Sequence, residues 1–130
     1  HPVAAAAAIA NLNIMVDEGI VERVNQETAP YLAERWQTLS EHPLVGETRS
    51  AGFLCALELV KNKENREFFD DRGDAGTLCR DICFDNGLVM RAIEDTMVIA
   101  PPLVTTKEQI DELLSLVKIC LDLTAEKVDQ

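Results

Sequence analysis

Arg91 stands inside an apolar run, Leu88 to Ile93, with Met90 and Ala92 as its neighbours. A guanidinium keeps its charge at any ordinary pH, and burying it unpaired is costly. If buried, it needs an acidic partner. That partner is either a carboxylate of the chain, Glu94 and Asp95 being the nearest, or the carboxylate of a bound ligand, which a planar guanidinium can grip with two parallel hydrogen bonds. The spacing of Cys79 and Cys83 puts two thiols on one helical face, which is half of a metal site. The other ligands would have to come from Cys55, Cys120, His1 or His42, and no zinc spacing joins them. Free cysteine behaves as a small hydrophobe, so the four thiols are expected to be structural and no metal is expected. His1 and His42 make no triad with any serine, and His42, just before Pro43, is read as structural. The chain carries no glycine-rich phosphate loop, no His-Glu-x-x-His and no Gly-x-Ser-x-Gly.

Composition narrows the partners. The 130 residues are 47% hydrophobic, which suffices for one domain with a core, but only 5% are aromatic, so Ala, Val, Ile and Leu must fill it. A formal net charge of −11 repels phosphate backbones, so no nucleic acid is expected. No apolar run is long enough for a membrane span. The opening HPVAAAAAIA has the apolar look of a signal peptide but lacks a positive start and runs on into an amphipathic pattern, so a helix is expected there. No disulfide framework is visible, which suits a reducing cytoplasm.

The elements that must position Arg91 follow from periodicity and punctuation. Pro2 suits a first helical turn, and Val3 to Glu18 reads as an alanine-rich helix that Gly19 breaks. Ile20, Val24, Leu32, Trp36 and Leu39 then recur at helical spacing, with Pro30 bending the stretch. Val45–Arg49 and Gly52–Val60 are expected as strands around a turn or bulge near Ser50–Gly52, the second covered on both faces because its alternate positions are nearly all apolar. A polar connection from Lys61 to Asp74 leads to a helix over Ala75–Asp85, closed by Gly87. Leu88–Ile93 and Met97–Ala100 read as a hairpin around Glu94-Asp95-Thr96. Pro101 and Pro102 end it, Thr105-x-x-Glu108 has the form of a capping box, and Ile110, Leu113, Leu114, Val117 and Leu121 make one face of a final helix. The expected fold is α+β and two-layered: a small, mostly antiparallel sheet with helices on one face, preceded by a long Ala-rich N-terminal helix. The run Ala4 to Ala8 reads either as simple helix propensity or as a small-residue packing surface for an element outside these residues.

Three blocks carry a resemblance: HPVAAAAAIANLNIMVDEGIVERV, LVGETRSAGFLCALELVKNKENRE and GTLCRDICFDNGLVMRAIEDTMVIAPPLVTTKEQIDELL. Together, and in this order, they resemble the C-terminal portion of a class III aminotransferase, a pyridoxal-phosphate enzyme of fold type I, with the ω-amino acid and amine:pyruvate transaminases as the nearest look-alikes. The resemblance implies that Arg91 faces the active site and binds the carboxylate of pyruvate or of an amino acid. It also implies a structural place near the sheet for Arg49, and a chain-shaping role for Pro101 and Pro102.

It further implies what lies elsewhere. None of Lys61, Lys63, Lys107, Lys118 and Lys127 sits in the family's lysine motif, so the Schiff-base lysine and the other pyridoxal 5'-phosphate contacts are expected upstream, in a large domain. Residues 1–40 are then a helical segment leading to that domain, and 41–130 the C-terminal small domain. The expected parent is a homodimer that transfers an amino group from an amine or ω-amino acid to pyruvate; this chain is expected to be a piece of it, inactive and without cofactor by itself, and prone to self-associate. The rival is a free-standing α+β module that binds a carboxylate or dimerises. The sequence does not choose the amino donor.

Overall fold

The computed structural model describes residues 1–128. Pro2–Asp17 forms the first helix, α1, with Pro2 in its first turn. Gly19, at φ +57°, ends it and turns the chain by 55°. The glycine has open space around it, so the left-handed backbone is what the position requires. Then come α2 (Ile20–Arg23), a π turn (Val24–Thr28), α3 (Ala29–Gln37) and a 3-10 turn (Thr38–Glu41). The expected bend at Pro30 is therefore a π turn just ahead of it, where the missing proline N–H interrupts the normal ladder.

The sheet is entirely antiparallel, in the order β1-β2-β4-β3, from β1 (Val45–Ala51), β2 (Leu54–Leu59), β3 (Arg91–Ile93) and β4 (Thr96–Ile99). Gly52, at φ +58°, forms the tight turn between β1 and β2, and the register slips between Val45 and Glu47 rather than at Ser50–Gly52. The helices α4 (Asp74–Asp85) and α5 (Lys107–Val128) join α3 on one face. Cys55, Leu57, Leu59, Met97 and Ile99 point into this core, with Trp36 buried above them and its indole N–H donating to the Ala56 carbonyl at 2.9 Å. The two-layer α+β architecture is the one expected.

Three expectations shift. β2 is fully buried on one face only: on the other, Leu54 is exposed and Ala56 and Glu58 are half-buried. β3 holds three residues instead of six. The cap of α5 is Thr106–Gln109, one residue later than Thr105–Glu108: the Gln109 N–H donates to the Thr106 hydroxyl at 3.3 Å and the Gln109 side chain accepts from the Thr106 N–H at 2.9 Å. Thr105 is occupied otherwise, donating to the Pro102 carbonyl at 2.7 Å.

The first helix buries nothing. Every residue of α1 but Met15 is exposed, including Val3, Ile9, Leu12, Ile14 and Val16. No single helix among the described residues is long and apolar enough to cross a membrane.

Candidate functional site

The pairing register places Arg91 opposite Val98, Val98 opposite Ala56, and Ala56 opposite Arg49. Paired residues share a face, so this row lies on the side of the sheet that the helices leave open. Arg49 and Arg91 sit at its two ends, roughly 14 Å apart at the usual strand spacing, with two small apolar residues between them. Arg49 is exposed and has Glu47 beside it at 3.8 Å.

Arg91 is different. It is exposed, and among the described residues its guanidinium has no ion pair or hydrogen-bond partner. The two acids nearest in sequence are engaged elsewhere. Glu94 pairs with Arg72 at 3.0 Å. Asp95, only 2% exposed, accepts the Gly73 and Gly76 N–H groups at 3.1 and 3.0 Å at the start of α4. The internal ion pair that sequence allowed for Arg91 is thus absent.

Arg91 lines a cleft of about 640 Å³ between the β3–β4 hairpin and the start of α5, and it is the only charged residue in that lining. Leu88, Val98, Pro101, Val104 and Leu113 supply apolar walls. The β4 strand ends at Ile99 and the prolines carry the chain around the cleft toward α5. One cation over an apolar floor suits a small ligand with a carboxylate at one end and a carbon chain behind it.

The cleft does not fit pyridoxal phosphate by itself. No lysine lines it, and other lysines have partners: Lys61 pairs with Asp70 at 2.9 Å, Lys63 reaches the Ser40 carbonyl, and Lys107 lies 5.5 Å over the Tyr31 ring. A smaller hollow of about 380 Å³ beside Asp70, Asp71 and Asp74 contains Lys61, but that amine is already held.

His42 and the four cysteines are held within the fold. His42 accepts the Leu44 N–H on Nδ1 and faces Asp122 through Nε2, each at 3.2 Å, so Nε2 carries the proton. All four cysteines are free and buried, and among the described residues no three His, Cys, Asp or Glu side chains are grouped to hold a metal. A hydrogen bond between Cys79 and Cys83 lowers the first thiol and raises the second.

Burial pushes Cys55 up to about 11 from its ordinary 9.0. The folded state thus prefers the neutral thiol. The resulting stability is fully present below pH 9 and is lost as pH rises toward 11. Thermal melting should fall over that window, with Cys55 contributing the equivalent of roughly 2 kcal/mol, and Cys55→Ala should remove part of the fall while the raised Cys83 and Cys120 thiols keep the rest. A wild-type melting point that holds constant from pH 8 to 11 would contradict the burial of this thiol.

The model for the family described as aminotransferase class-III matches residues 1–121. A putrescine–pyruvate aminotransferase of Pseudomonas aeruginosa is 59% identical over 98% of this chain and 28% of its own length. The mitochondrial gamma aminobutyrate transaminase 1 of Solanum lycopersicum is 33% identical over 100% of this chain and 25% of its own. The solved PMP-bound aminotransferase from Vibrio fluvialis superposes with a TM-score of 0.90 at 34% identity, over 98% of this chain and 28% of that one. The chain therefore spans about a quarter of the length of the curated relatives it matches.

Proposed function

Since the chain belongs to the class-III aminotransferase family, we propose that it acts as the carboxy-terminal domain of a longer transaminase that moves an amino group from an amine or ω-amino acid to pyruvate. The observation that carries this reading is the unpaired Arg91 guanidinium over an apolar cleft. A substrate carboxylate completes the charge that the described residues leave uncompensated. Two parallel hydrogen bonds then fix the carboxylate plane and with it the direction of the adjacent carbon. The apolar walls contact the methyl end and displace water from it.

Pyridoxal phosphate supplies the electron sink for amino transfer in such a protein, and its lysine and phosphate contacts belong to residues outside this chain. The PMP-bound Vibrio fluvialis relative supports the choice of this cofactor. The 59% identity to a putrescine–pyruvate aminotransferase makes a diamine the first donor to test. The longer protein, given putrescine and pyruvate, should form alanine. Production of alanine from neither diamines, monoamines nor ω-amino acids would overturn the reading.

The exposed apolar surface of α1 is assigned to contact with the larger domain. The 130-residue chain by itself leaves that surface bare and should self-associate. Light scattering at increasing concentration should give masses above 14.4 kDa, and a monomer at every concentration would count against the assignment.

A further inference from the structure

Arg91 lies on a strand of three residues at the edge of the sheet. Such a strand has hydrogen bonds on one side only, so β4 alone does not fix its height over the cleft. What holds its far end is the turn Glu94–Asp95. Glu94 is left-handed at φ +51°, an uncommon state for a residue with a side chain. The turn rests directly on the first turn of α4. Asp95 spends one carboxylate oxygen on the Gly73 N–H and the other on the Gly76 N–H. Both donors belong to the positive end of a helix, where a buried carboxylate is favoured. Arg72 closes the clamp from outside, 3.0 Å from Glu94 and 3.9 Å from Asp95, while stacking 4.1 Å over Phe68. Gly76 completes it by absence: a Cβ there would lie 2.0 Å from the Glu94 carbonyl oxygen.

We infer that Asp95 is a positioning residue for Arg91: by locking the hairpin turn onto the start of α4, it sets the place at which the guanidinium meets a substrate carboxylate. Asp95 does not touch substrate. It acts through a rigid turn and a three-residue strand, so its effect should be confined to ligands that Arg91 grips. This rests on the carboxylate-binding reading of Arg91 proposed above.

The test is Asp95→Asn in the full-length, cofactor-loaded protein that carries this chain. Asparagine keeps one acceptor but turns an amide donor toward one of the two glycine N–H groups. The turn should lift and Arg91 should move with it. With pyruvate, KM should rise about tenfold while kcat stays within a factor of two. With an uncharged aldehyde acceptor, both constants should stay within a factor of two. Calorimetric binding of propionate, which has the carboxylate but no reacting carbonyl, should weaken by the same factor as pyruvate.

Equal losses for pyruvate and aldehyde would make Asp95 merely structural and overturn the inference. So would an unchanged pyruvate KM in a protein where Arg91→Leu raises it. An Arg91→Leu protein that keeps its pyruvate KM would instead overturn the carboxylate-binding reading itself, and the inference with it. If Asp95→Asn does not fold, Arg72→Gln at the exposed rim of the clamp carries the test. It should raise the pyruvate KM about threefold with no change for the aldehyde, and no shift would overturn the inference.

Discussion

Replacing Arg91 by leucine should lower kcat/KM for pyruvate about 100-fold in the full-length protein and leave an uncharged aldehyde acceptor nearly untouched. The loss corresponds to ~2.7 kcal/mol, the size expected for two charge-assisted hydrogen bonds made in a partly desolvated cleft. Leucine fits the setting because the neighbouring walls, Leu88 and Val98 among them, are apolar. The exchange also leaves no orphaned acid among the described residues, since none of their carboxylates pairs with Arg91. Stability should therefore change little, and the effect should be purely one of binding. Lysine at the same position should recover only part of the loss, because an ammonium is a point charge without the planar fork. The decisive comparison is the ratio of pyruvate to aldehyde turnover. If that ratio stays constant across arginine, lysine and leucine, Arg91 does not bind the carboxylate.

Much of this arrangement is legible in the residues, and the rest fails for identifiable reasons. The apolar spacing from Ile110 to Leu121 gives α5 directly, and the glycines at 19, 52 and 87 mark real left-handed breaks. The capping error arises because Thr105 and Thr106 stand side by side, each with an acid or amide three residues on. Only the Pro102 carbonyl, which takes the Thr105 hydroxyl, decides between them. The apolar alternation in β2 reports that both faces suit burial, but not that the described residues bury only one of them fully. At the site, the sequence offers Glu94 and Asp95 as rivals for Arg91. It cannot show that Arg72 and the start of α4, both distant in the chain from Arg91, engage them first. The role of Asp95 was missed for the same reason: its partners are backbone N–H groups of Gly73 and Gly76, which no side-chain motif announces. The pair of glycines in Gly73-Asp-Ala-Gly76 was the one available hint.

That hint leads to the largest expected effect on stability, Gly76→Ala. Within a helix alanine is normally the better residue, by up to about 1 kcal/mol, and nothing in the backbone of Gly76, in the first turn of α4, calls for a left-handed φ. Local propensity alone therefore makes the substitution stabilising. Packing predicts the reverse. The new Cβ would stand 2.0 Å from the Glu94 carbonyl oxygen and 3.0 Å from the Asp95 Cα, and both are backbone atoms that cannot rotate away. Either α4 or the hairpin must shift, and the shift breaks the two hydrogen bonds that satisfy the buried Asp95 carboxylate. The cost should be roughly 3 kcal/mol or more, a fall of about 10 °C in the melting point of the chain. Gly46→Ala is the informative contrast. Its Cβ would also be crowded, at 2.6 Å, but against a methyl of the Val60 side chain. That side chain is fully buried and β-branched, and its second methyl and Cβ would lie at 3.1 and 3.4 Å, so it yields poorly and this variant should also lose roughly 2 kcal/mol. Its loss comes from the β1–Val60 contact and leaves the Asp95 hydrogen bonds alone. A Gly76→Ala chain as stable as wild type would mean that the hairpin moves freely on α4. A large loss at Gly76 would show that the turn beneath Arg91 is rigid, which any control of the guanidinium from α4 requires.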